Sequence, residues 1–211
     1  MWKNCNNITY KSILQAKHIT DGISFKTPLL KLENISSKIN KPVFIKDESV
    51  QKTSSFKIRG VYYCIHSKLN HLILNSNLQS NTNIITQSTG NHGISTLFSV
   101  YNLIQQNSWN NKLISSLNPI IYSSKFIQPI KYNYMNYYLK KIREITNDNS
   151  RGKILTHFDS YSQALNERLL FQKKHENSLY IEHGFPEIIT GHGAIGLEIS
   201  QQLIDMGIST N

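Results

Sequence analysis

Short runs of β-branched and other apolar residues alternate along this chain with longer stretches whose apolar positions recur every three or four residues. The rhythm predicts βαβ units around a mostly parallel sheet. The short runs are PVFIK (42–46), NIITQ (83–87), NPIIYS (118–123), KILTHF (153–158) and SLYIE (178–182). Each precedes a helical pattern, over residues 56–69, 91–105, 129–142, 160–175 and 192–204. The clearest is SYSQALNERLLFQKKH, where Leu165 and Leu169 lie four apart on one face and Ser160 stands at the N-cap. Two stretches, LNSNLQSNTN and QQNSWNNKLISSLN, carry no period and read as Asn- and Ser-rich surface loops.

Composition narrows the function classes. A chain of 211 residues with 39% hydrophobic residues can bury a real core. The net charge of +10 would permit nucleic-acid binding, but the lysines are scattered among Asn, Ile, Ser and Tyr, so no dedicated nucleic-acid surface is expected. Cys5 and Cys64 are too few for a disulfide framework and have no zinc-type spacing, so no metal site is expected. The first twenty residues hold no signal-type apolar run and nothing later approaches a membrane span, so a cytoplasmic location without membrane contact is expected.

Three segments could carry chemistry. In ESVQKTSSFKIRGVYY (48–63), Lys57 opens a helix beneath a Ser/Thr-rich loop, where free N–H groups welcome an anion. Burial would lower its pKa and make it a nucleophile able to condense with an aldehyde. An ordinary surface lysine followed by a helix arginine spells the same pattern. TQSTGNHGIS (86–95) follows a predicted strand and opens a helix. Its polar residues can aim main-chain donors at a carboxylate or phosphate, with Gly90 and Gly93 letting a ligand approach. A polar strand-to-helix turn is the competing explanation. GHGAIG (191–196) has dinucleotide-type Gly-x-Gly-x-x-Gly spacing, but EIIT before it is short for a strand and no second strand with an acidic tip follows. It is therefore expected to be a tight turn into the helix over 192–204.

Taken in order, these segments resemble the serine/threonine dehydratase family of fold type II pyridoxal-phosphate enzymes, which includes serine racemase. KTPLL (26–30) looks like the family's R-T-P-L entry, and VFIKDESVQKTSSFKIRGV (43–61) resembles its K-x-E-x-x-Q-x-T-G-S-F-K-x-R-G-A signature. STGNHG (88–93) resembles S-x-G-N-H-A/G, and EIITGHGAIGLEI (187–199) resembles I-x-G-Q-G-T-x-x-L-E-I. The resemblance implies two lobes with pyridoxal 5'-phosphate in the cleft between them. Residues 1–53 would begin the large lobe, 54–151 form the small lobe and 152–211 continue the large one. It implies that Lys57 holds the cofactor and then serves as the base at the substrate's Cα, that Phe56 lines the cofactor's surroundings, and that Asn91 hydrogen-bonds the ring oxygen. Ser88, Thr89, Gly90, Asn91 and His92 would form the loop that clasps an amino-acid substrate. The implied reaction eliminates water from serine, threonine or a related β-hydroxy amino acid; a racemase, a hydroxyaspartate-type dehydratase, or a non-catalytic ligand-binding or interaction protein are the rivals. A homodimer, or pairing with a complementary chain, is left open.

Several positions depart from the family pattern. Ser54 stands where the family has glycine, so a positive φ there would be strained by a side chain. His192 replaces glutamine and Ala194 replaces threonine. Thr89 stands where serine racemase has a serine acting as second acid/base, which favours elimination. The family's glycine-rich phosphate loop and its residue facing the pyridine nitrogen have no match before Asn211. Charge-assisted hydrogen bonds contribute roughly 1.5–3 kcal/mol each, so the large lobe is expected to be incomplete and the chain alone to bind the cofactor weakly.

Overall fold

The computed structural model describes residues 8–107, 113–176 and 178–208. The N-terminal part contains α1 (Tyr10–Thr20), β1 (Leu29–Lys31), α2 (Glu33–Ile39) and β2 (Phe44–Lys46). Then come α3 (Lys57–Leu74), β3 (Asn83–Gln87), α4 (Asn91–Gln106), β4 (Asn118–Ser124) and α5 (Pro129–Thr146). The chain continues through β5 (Lys153–Phe158), α6 (Tyr161–Lys174), β6 (Ser178–Tyr180) and α7 (Pro186–Asp205).

Four strands form one parallel sheet in the order β5-β4-β3-β6, while β1 and β2 make a separate antiparallel pair. Strand alternation divides the apolar residues between two faces. Ile84 and Ile121 join the main core with Ile58, Ile65 and Leu97 from the helices. Ile85 and Ile120 face the other way, onto a smaller cluster with Tyr122, Phe158 and Ala164 of α6. The α/β class with a parallel sheet is as expected. The division expected at residue 151 falls between β4 and β5, which are hydrogen-bonded neighbours of this single sheet.

Local chemistry explains the helix starts. Ser160 accepts from the Gln163 N–H at 3.0 Å and caps α6 as its position predicted. Pro129 and Pro186 open α5 and α7, where a missing N–H has no helical partner to lose. The Asn/Ser stretch after α3 is irregular as expected, although Leu78 within it is buried. The other expected loop lies partly outside the described residues, as does Cys5; Cys64 is a free thiol buried in α3.

The expectation for GHGAIG needs correction. Residues 191–196 lie inside α7, which starts at Pro186 and takes in EIIT as well. Gly191 serves helix packing: a Cβ there would lie 2.7 Å from the Arg59 carbonyl oxygen and from Gly60 Cα of α3. A Cβ on Gly60 would collide with the Ile188 carbonyl oxygen. The two helices thus cross with their backbones nearly in contact, for which the helix-weakening cost of glycine is accepted.

Candidate active site

The strand order creates a crevice. From β3 the chain steps outward to β4 and β5, then returns to place β6 on the opposite side of β3. The connections leaving the carboxyl ends of β3 and β6 therefore diverge, and such a switch point is where open α/β sheets receive ligands. Here a cavity of about 230 Å³ is lined by Lys57, residues 87–92, Tyr161 and His183.

Lys57 is the first residue of α3, and its N–H donates to Ser55 Oγ at 3.2 Å. The preceding loop is braced by Gln51, whose side chain accepts from the Phe25 N–H and donates to the Phe25 carbonyl oxygen. Ser54 has φ of 53°, so the left-handed conformation that would suit glycine is held here by a serine. The Lys57 side chain is half-buried, and burial lowers the amine below its ordinary 10.5. Among the described residues its Nζ has no hydrogen-bond or ion-pair partner, only the Phe56 ring 4.9 Å away. Phe56 does not line the cavity; its ring meets His192 edge-on at 4.8 Å.

Residues 88–92 run from the end of β3 into α4. The Ser88 hydroxyl is turned inward, accepting from the N–H groups of Gly90 and Gly93 at 3.1 and 3.0 Å. It shapes the loop that leaves Thr89 exposed at the mouth. Gly90 borders open space, but Gly93 does not face a ligand as expected. A Cβ there would lie 2.7 Å from Met135 Cε, so Gly93 lets α5 approach. Asn91 Oδ1 accepts from Lys131 Nζ of α5 at 2.6 Å, which leaves the Asn91 amide nitrogen as the donor. The start of α4 places its positive end at the cavity, favourable to an anion.

His92 is 2% exposed, donates from Nε2 to the Ile181 carbonyl oxygen at 3.2 Å, and packs on His183 with ring centroids 3.7 Å apart. Burial, then His183 and Lys57, lower His92 to about 3. Burial and the Lys57 charge lower His192 to about 4, against a hydrogen bond to the Lys57 backbone. His183 at the rim is lowered by burial and then by Lys57. Sequence reading missed Gln87, Tyr161, His183 and Lys131. Gln87 Nε2 donates to the Tyr161 carbonyl oxygen at 2.6 Å, while its buried Oε1 has no partner among the described residues. Among the described residues no group of three or more His, Cys, Asp or Glu could hold a metal ion, and no helix is long and apolar enough to cross a membrane.

The neutral histidines give a testable pH dependence. Their folded pKa values are depressed, so below pH 6.5 the unfolded chain binds protons that the folded chain refuses. Their contribution is intact above pH 6.5 and erodes as pH falls toward 4. Unfolding by urea should show a loss on the order of 3–5 kcal/mol between neutral pH and pH about 4.5. The pair of substitutions His92→Asn and His192→Gln should remove most of that slope; an unchanged slope would refute the assignment.

A parallel α/β sheet with a lysine opening one helix, set against a Ser/Thr/Gly loop that opens the next, is a fold this chain shares with solved pyridoxal-phosphate-dependent enzymes. Residues 21–99 match the model of the family described as pyridoxal-phosphate dependent enzyme. It is 25% identical over 202 residues to the L-threonine dehydratase biosynthetic IlvA of Lactococcus lactis, covering 96% of this chain and 42% of that protein. Over 86 residues it is 33% identical to the serine racemase of Dictyostelium discoideum, covering 41% of this chain and 24% of the racemase. The apo structure of Escherichia coli diaminopropionate ammonia lyase shares the fold, with a TM-score of 0.76 at 16% identity over 96% of this chain and 54% of the lyase. The chain thus spans about half the length of such proteins or less.

Proposed function

We propose that this chain carries the reactive-lysine part of a pyridoxal-phosphate-dependent ammonia-lyase acting on serine, threonine or a related β-hydroxy amino acid. The observation that carries this reading is the Lys57 amine: half-buried, lowered in pKa and unpartnered among the described residues, beside a cavity at the switch point. These residues fit the cofactor, because an aldehyde condenses most readily with an amine that is unpaired and whose pKa is lowered by burial. When bound, pyridoxal phosphate supplies an electron sink for the charge that develops as the substrate's Cα proton leaves.

The chain's own groups account for the remaining steps. Lys57 would hold the cofactor's aldehyde and would also be the group placed to accept the substrate's Cα proton. Asn91 would donate from its amide nitrogen to the cofactor ring oxygen, an orientation that Lys131 favours by occupying Oδ1. The positive end of α4 receives the substrate carboxylate. Thr89, exposed at the mouth, is the hydroxyl available to a substrate on the other side. The net reaction would convert the β-hydroxy amino acid into a 2-oxo acid and ammonia.

Racemisation is the second reading, favoured by the stretch of 33% identity to a serine racemase. Incubation with pyridoxal phosphate and L-serine or L-threonine separates the two. Ammonia and 2-oxo acid in equal amounts are expected; D-serine without ammonia would replace the lyase reading with the racemase, and neither product would overturn both.

A further inference from the structure

The second site lies on the outer edge of β6, outside the lysine cleft. Arg168 of α6 is 4% exposed, yet among the described residues it makes no ion pair. Its guanidinium sits 3.7 Å from the Tyr180 ring centroid and donates from Nη1 to Gln172 Oε1 at 2.8 Å, while the buried Nε has no partner. A buried cation without a carboxylate is unusual, since charges removed from water are normally paired. A cavity of about 460 Å³ adjoins it, with Lys68 on another wall and Leu169, Leu179 and Phe185 as apolar lining. Lys68 is shared with Glu187 at 3.5 Å and lies over the Phe185 ring, so Glu187 does not reach Arg168.

The strand edge adds a donor. Ile181 N–H points inward to the Ile85 carbonyl oxygen. Strand alternation therefore turns the Tyr180 N–H away from β3, toward an edge on which no described strand pairs. We infer that this cavity is a binding site for a small carboxylate with a short hydrocarbon tail. The carboxylate would balance Arg168 and Lys68 and meet the edge N–H, and the tail would lie on Leu169, Leu179 and Phe185. Glu182 on the rim disfavours multiply charged anions.

Isovalerate and inorganic phosphate are the probes, titrated into the ¹⁵N-labelled chain at constant ionic strength without pyridoxal phosphate. Isovalerate should shift the Leu179 and Tyr180 amide resonances saturably, with Kd on the order of 1 mM. Arg168→Met should abolish saturation, and Lys68→Gln should weaken binding about tenfold. If Arg168→Met does not fold, Lys68→Gln alone carries the test. Saturation unchanged by these variants, tighter binding of phosphate than of isovalerate, or shifts that never saturate would each overturn the proposal. The Lys57 cleft takes no part in this readout, so its outcome is independent of the lyase reading.

Discussion

Lys57→Ala should abolish the visible absorbance band that grows when the purified chain is mixed with excess pyridoxal phosphate. The wild-type amine is lowered by burial and has no partner among the described residues to release before reacting. None of the cavity-lining residues Gln87, Ser88, Thr89 and Asn91 offers a second amine. Lys131 lies beside Asn91, but its Nζ is held by Asn91 Oδ1 at 2.6 Å. Borohydride reduction followed by peptide mass spectrometry should place the added mass on Lys57 in the wild type and nowhere in the variant. A band that persists in Lys57→Ala, or trapped mass on another lysine, would remove the basis of the proposed chemistry.

Glu198→Ala should destabilise the fold by about 3–5 kcal/mol, a large share of the roughly 5–15 kcal/mol typical of a domain. Glu198, 4% exposed on α7, accepts from Arg59 Nη1 at 2.7 Å and Nη2 at 3.0 Å, and lies 2.7 Å from Lys46 Nζ. Arg59 is 1% exposed and also binds Glu48 through Nε and Nη2. Two cations and two carboxylates thus join β2, the loop before α3, α3 and α7. Removing Glu198 leaves two cations against one carboxylate with no water to screen them. Urea unfolding is the measurement, and combining Glu198→Met with Arg59→Met should recover part of the loss. A loss below about 1 kcal/mol would show that water reaches the network. Burial raises Glu48, but hydrogen bonds from Arg59 and Thr27 and the nearby cations outweigh it and hold the carboxyl below its ordinary 4.5. Its contribution is therefore present above pH 4.5 and lost as pH falls further.

Much of this architecture was legible before any coordinates. NIITQ and KILTHF are strands with the expected bounds because β-branched runs between polar turn residues have few other ways to bury themselves. Ser160 announced α6 by the chemistry of its hydroxyl. Helix α1 was missed: its capping box pairs Thr9 with Ser12 instead of a glutamate, and few of its apolar residues are buried. The start of α7 was missed because two glycines within three residues read locally as a turn.

The site divides in the same way. Local sequence determined that Lys57 would open a helix and that residues 88–93 would link a strand to the next helix, since turn and helix-start preferences act over a few residues. Only the tertiary structure decided that His183 packs against His92, that Lys131 orients Asn91, and that Gly93 makes room for Met135. It also decided that Gly60 and Gly191 meet across a helix crossing, which makes α7 a helix where its spelling suggests a turn. These contacts join residues 40 to more than 130 positions apart. Their energies depend on distances of a few ångströms set by packing of the whole chain, and no local pattern of residue types encodes them.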